Sequence, residues 1–228
     1  MQPIEIESAM TVALATPLSQ IELIPGSAIR VSGVSWESYI VLLQELGEHR
    51  ATRIAYNDGV LEIRMPGAFH EIVNRVLAAI VLVLAEELGL ELNNLGSTRF
   101  DSPDFSKGIE PDSCFYIQHA RVAQGLDGEM SSKVPPDLAV EVDIAHRSQS
   151  KLPIYSAIAV PELWLYRQDA LSILALQGGQ YREISTSLAF PSVSVVQLNQ
   201  WVQLRKTGTD LTVVRAVRAF CRDRSTSP

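Results

Sequence analysis

Leu138-Ala139-Val140-Glu141-Val142-Asp143, which follows Pro135-Pro136-Asp137, is the stretch on which the reading of the chain turns. A short, mostly apolar run behind two prolines suits a strand buried on both faces of a sheet. Such positions rarely hold an unpaired carboxylate, because taking a charge out of water is costly. Glu141 therefore needs a compensating partner. Strand side chains alternate between faces, so Asp143 rejoins Glu141 on one face while Val142 points to the other. Pro111-Asp112 places a third acid at the start of another strand candidate, residues 113–117. The interval between them leaves room for a connection that lays the two strands side by side. Three carboxylates at one spot repel unless a cation sits between them. Hard oxygen ligands in an open, hydrated site suit Mg2+ or Mn2+ rather than a zinc cage. Acids at strand ends also serve as turn or cap residues, which leaves a structural role open for Asp112 and Asp143 taken singly. Glu141 is harder to explain that way.

Outward from this core, Ser35 precedes a helix over residues 36–46 that Gly47 closes. Residues 53–56 and 60–64 flank Asn57-Asp58-Gly59 and form a hairpin, since Asp-Gly supplies the positive φ angles of a tight turn. Val73, Leu77, Ile80, Val81, Leu84 and Leu88 recur at helical spacing, so residues 68–88 are a long helix with Gly89 as its stop. Further strand candidates lie at 90–92, 98–100, 163–166, 171–176 and 181–184, and a closing helix at 211–221. Residues 1–30 show no sustained period and read as an extended arm that packs on a partner subunit. One helix before a mixed sheet, with crossover helices, argues for a single α/β domain over 31–225, built on a central mixed β-sheet flanked by helices.

The composition, 46% hydrophobic and 20% charged over 228 residues, is that of a globular domain with a sizeable core. The formal charge of −7 gives no general attraction to polyanions, so DNA binding would rest on a local basic patch or on bridging metal. Cys114 and Cys221 form no C-x-x-C pair and read as reduced thiols. Met1-Gln2-Pro3-Ile4-Glu5 lacks the basic start of a signal peptide, and the longest apolar stretch, 76–85, is about half a membrane span. A cytoplasmic protein without membrane attachment is expected. The arm and the open sheet edges point to a homodimer.

Ile109-Glu110-Pro111-Asp112-Ser113 followed by Pro136-Asp137-Leu138-Ala139-Val140-Glu141-Val142-Asp143 resembles the PD-(D/E)XK signature. More narrowly, the chain is similar to a widespread bacterial family of restriction-endonuclease-like proteins catalogued as a domain of unknown function. The likeness continues through Asp58-Gly59-Val60-Leu61-Glu62-Ile63, His70-Glu71 and Val160-Pro161-Glu162-Leu163-Trp164, and spans roughly residues 30 to 225. It implies a restriction-endonuclease-like fold and a metal-dependent phosphodiesterase, with Asp112 and Glu141 as metal ligands and the Val142 carbonyl as a third. The metal would activate a water for in-line attack, with no covalent intermediate. The chain departs from the pattern at the lysine, where Asp143 stands. Asp143 could hold a second metal or accept a proton from water. The resemblance points to Lys151, with Arg147 next, as the displaced positive charge, although both also fit a solvated surface. It also places Glu62 and His70 beside the carboxylates. His70 could bind metal, position water or contact a phosphate, or simply cap its helix, and His146 carries less weight.

Arg215, Arg218 and Arg222 share one face of the last helix, fit either to track a nucleic-acid backbone or to meet solvent. A nuclease-fold protein without catalysis, serving binding or assembly, is the alternative to an endonuclease, and a hydrolase of another phosphodiester would use the same site. A serine or cysteine nucleophile and a glycine-rich phosphate loop have no support in the sequence.

Overall fold

The computed structural model describes residues 21–47, 50–125, 134–143 and 150–225. His146, Arg147 and residues 1–20 of the expected arm lie outside the described residues.

Two sheets share the fold. The smaller is antiparallel throughout and runs β1 (Ala28–Ser32), β3 (Val60–Arg64), β2 (Arg53–Asn57), β6 (Lys107–Ile109), β5 (Phe100–Ser102) from edge to edge. The larger runs β11 (Gln180–Ile184), β10 (Ala170–Gln177), β9 (Glu162–Arg167), β8 (Leu138–Asp143), β7 (Ser113–Tyr116), β4 (Asn93–Gly96). It is mixed, because β8 and β9 are parallel and joined through α3 (Leu152–Ile158).

The expected hairpin is β2–β3, with Asp58 and Gly59 both at positive φ (44° and 85°). It belongs to the smaller sheet rather than to one central sheet. Ala28–Arg30, read as the end of the arm, pair along β3 instead, so the folded part begins before residue 31.

The predicted helices are α1 (Trp36–Leu46), whose Ser35 hydroxyl accepts from Ser38 N, and α2 (Ala68–Glu87). α4 (Val195–Leu204), absent from the sequence reading, is capped by Ser194 and buries Leu198, Trp201 and Val202. α5 (Asp210–Ser225) closes the chain. The strand expected at 90–92 is displaced to β4, and that at 98–100 to β5. Asn93-Asn94-Leu95-Gly96 has little intrinsic β preference; its place beside β7 makes it a strand.

Alternation along β8 divides the interior. Leu138, Val140 and Val142 join the core beneath α2, α4 and α5, whereas Ala139 packs with Ile154 and Tyr155 of α3 and with Ala55 and Ile109 of the smaller sheet. On the smaller sheet's outer face, Tyr39, Leu42 and Leu43 of α1 cover Ile54, Tyr56, Leu61 and Ile63. By length and composition α2 could cross a membrane, yet 56% of its most apolar window is buried inside the fold. Cys114 and Cys221 are both buried and free.

Candidate active site

The chain leaves the smaller sheet after β6 and joins the larger one at β7, and Glu110-Pro111-Asp112 is that crossover. Backbone bonds fix both ends of it. Glu110 N donates to Ile54 O (2.9 Å) and Asp112 N to Val140 O (3.2 Å). Asp112 is thereby set beside β8, and its Oδ2 accepts from Val142 N at 2.7 Å.

Asp112 and Glu141 meet through one cation. Arg64, at the end of β3, places Nη2 against Asp112 Oδ1 and 3.6 Å from Glu141 Oε2. The Asp112 and Glu141 side chains are 0% and 1% exposed, so water screens neither charge. Lys151 Nζ donates to Glu141 Oε2 at 3.0 Å, and the Tyr155 hydroxyl donates to Oε1 at 2.5 Å. Lys151 precedes α3 and is buried, so the solvated-surface alternative for it falls.

On the opposite side, α2 presents His70 and, one turn on, Asn74. His70 Nε2 lies 2.9 Å from Asp112 Oδ2 and 2.7 Å from Arg64 Nη1. With its proton on Nε2 it donates to Asp112; with the proton on Nδ1 it accepts from Arg64. Asn74 Nδ2 donates to Asp112 O (3.1 Å), and Ser113 Oγ donates to Asn74 Oδ1 (2.9 Å).

These neighbours set the protonation states. Burial alone would raise the Asp112 carboxyl, but the Arg64 charge, the His70 bond and the Lys151 charge outweigh it and hold it well below the usual carboxylate range. Burial, then the Glu141 charge, pushes the Tyr155 phenol well above its ordinary value, so it remains a neutral donor.

A cavity of about 330 Å3 opens onto this cluster, and Glu62, Arg64, His70, Val142, Asp143 and Lys151 line it. Glu62 faces it while 6% exposed, and its carboxylate has no hydrogen-bond or ion-pair partner among the described residues. Asp143 is likewise buried at the end of β8. Every candidate within the described residues that the sequence put at the site, namely Asp112, Glu141, Val142, Asp143, Lys151, Glu62 and His70, lines this cavity or the charge cluster beneath it. No three His, Cys, Asp or Glu side chains among the described residues are grouped as a metal site. Two carboxylates share one cationic point, and Val142 engages Asp112 through its N–H.

Sequence reasoning missed Arg64, Asn74 and Tyr155. Each carried a periodic signal: Arg64 lies two residues beyond Glu62 on the same strand face, Asn74 four beyond His70, and Tyr155 four beyond Lys151. Part of the arginine stripe on α5 is engaged within the fold. Arg218 binds Glu86 (2.7 Å) and Glu87 (3.5 Å), and Arg222 lies 3.9 Å from Glu87, so two of the three guanidiniums tie α5 to α2.

The Uma2 family model, described as "Putative restriction endonuclease", matches residues 36–213. The chain belongs to this family. The Uma2 match takes in every strand of the two sheets except β1, and every residue of the charge cluster. A crystal structure from Anabaena variabilis, described as "a putative nuclease belonging to DUF820", is similar to it at 14% identity and a TM-score of 0.52, over 74% of this chain and 99% of that one. The likeness shows the restriction-endonuclease-like α/β fold. No curated protein matches the chain.

Proposed function

We propose that this Uma2 chain is a divalent-metal-dependent nuclease that hydrolyses phosphodiester bonds of DNA at the Asp112–Glu141 pair. One observation carries the reading: two fully buried carboxylates, one from the crossover before β7 and one from β8, converge on a single cationic nitrogen. Their hard oxygens fit Mg2+ or Mn2+, since Mg2+ commonly keeps several waters and takes only one or two carboxylates. Asp112, Glu141 and the Val142 carbonyl would hold the ion, and Asp143 could support a second. When bound, the metal lowers the pKa of a water and neutralises charge on the leaving oxygen.

The chain's own groups do the rest. Tyr155 and Lys151 fix the Glu141 carboxylate, while His70 and the Val142 N–H orient Asp112. Lys151, held at the cavity wall, supplies positive charge to a phosphate oxygen brought there. Glu62 and Asp143, also on that wall, are the carboxylates placed to accept a proton from the attacking water. Arg64 stands between the two ligands, where an ion would compete with it, and its fork would suit a phosphate.

A non-catalytic nuclease-fold protein is the second reading. It is favoured by the same arginine, which compensates both carboxylates without any metal, and by Asp143 at the lysine position. Nicking of supercoiled and single-stranded DNA in Mn2+ separates the two. Glu141→Gln and Lys151→Met should each lower the rate by at least about 10²-fold. Nicking that survives Glu141→Gln would come from contamination. No nicking, together with no Mn2+ binding at millimolar concentration, would establish the second reading.

A further inference from the structure

Across the Glu110-Pro111-Asp112 crossover from the carboxylate pair lies a polar cleft of about 390 Å3, whose wall includes Arg50, Thr52, Arg53, Ser97, Arg99 and Glu110. Its donors outnumber its acceptors. Arg50 spends its fork on Glu110 and Gly47 O, yet its buried Nε has no hydrogen-bond partner among the described residues. Arg99 Nε binds Asp101 at 2.9 Å. Arg53 has only a 3.4 Å contact to Thr52 O, with no carboxylate partner among the described residues. The hydroxyls of Thr52 and Ser97 are also without a hydrogen bond to any described residue. All three guanidinium charges act on Glu110, opposing the rise that burial imposes on its carboxyl.

We propose that this cleft is a phosphate-binding site, held by Arg53 and Arg99 with the Arg50 charge behind them, that takes a backbone phosphate of the nucleic-acid strand cleaved at Asp112–Glu141. A compact anion with several acceptor oxygens matches forked donors and hydroxyls converging on one space. The cleft also lies near the active site. Arg53 is the cross-strand partner of Arg64, and opposed residues of an antiparallel pair share a face. Glu110, on the cleft wall, is two residues from Asp112, a reach of at most about 7 Å. The source of the phosphate rests on the nuclease reading; the site itself does not.

Binding in EDTA tests the site apart from catalysis. Arg53→Gln/Arg99→Gln leaves the Arg50–Glu110 pair intact, and single Arg53→Gln guards against loss of the Arg99–Asp101 contact. Anisotropy with a labelled single-stranded oligonucleotide should show roughly tenfold weaker binding for the double variant, and a salt dependence reduced by about 0.7, the value for one phosphate contact. If calorimetry with inorganic phosphate shows binding lost in the variant while oligonucleotide binding is unmoved, the site stands and belongs to small phosphate compounds. If neither probe responds, the proposal is overturned. Loss of oligonucleotide binding without nicking by the wild type would sink the nuclease reading and leave this site standing.

Discussion

Removing Arg64 exposes the electrostatic logic of the centre most directly. Its guanidinium lies between Asp112 and Glu141, whose side chains are 0% and 1% exposed. Arg64→Met keeps the length of the stem and deletes the charge. Breaking a buried ion pair on one side costs about 3–5 kcal/mol, because an uncompensated charge stays behind. Lys151 and the His70 hydrogen bond still serve the two acids, so the lower end, about 3 kcal/mol, is expected. For a chain of this size that is a fall in Tm of roughly 6–12 °C. Thermal unfolding should be followed in EDTA and again in Mn2+. A divalent ion binding between the freed carboxylates restores about 2.7 kcal/mol at a hundredfold excess over Kd. Wild type should gain less, since Arg64 competes for the same position. Equal melting of variant and wild type in EDTA would refute the claim that Arg64 compensates the pair. Equal Mn2+ gains in both would refute the claim that arginine and metal share one place.

Two further substitutions test the scaffold. Glu162 is fully buried, and its two oxygens accept from Trp164 Nε1 (2.6 Å) and Ala189 N (2.7 Å), so Glu162→Gln turns an amide donor toward one of these donors and should cost about 1–3 kcal/mol. Burial raises the Glu162 carboxyl despite these bonds, so its contribution is complete below about pH 4.3 and is lost as pH rises through the folded value; urea unfolding should show the gap to Glu162→Gln narrowing between pH 4 and pH 8, and a widening gap would contradict the assignment. Gly108 in β6 has no room for a Cβ, which would collide with the Tyr39 hydroxyl and with Asp101 Oδ1, so Gly108→Ala should lose about 1–3 kcal/mol in the same assay, and an unchanged midpoint would contradict that packing.

The local signals were legible because they are local. Ser35 and Gly47 bracket α1, Asp58-Gly59 makes the hairpin, and the 3.6-residue stripe from Val73 to Leu84 fixes α2. Pairing at a distance was less so. Lys107–Ile109 and Phe100–Ser102 are strands of three residues, too short to show a period, and they exist because β2 offers its edge to β6 and β6 its own to β5. α4 carried a readable cap and apolar spacing, and it was overlooked rather than hidden.

The sequence by itself determined the chemistry available: which acids must be buried, that Asp143 replaces the motif lysine, and that Lys151 opens a helix after the acidic strand. Of its Pro-Asp pairs it put Pro111-Asp112 at the site. Tertiary structure supplied the reason. Asp112 is carried across the junction of two sheets to β8, whereas Asp137 is spent on Ile117 N (2.7 Å), His119 N (3.0 Å) and His119 Nδ1 (2.5 Å). It also decided that Arg64 compensates the carboxylates and that Arg218 and Arg222 of α5 are engaged by Glu86 and Glu87. The physical reason is common to all of these. A carboxylate's role depends on which charge reaches it through a low-dielectric interior, and strands far apart in the chain set that reach.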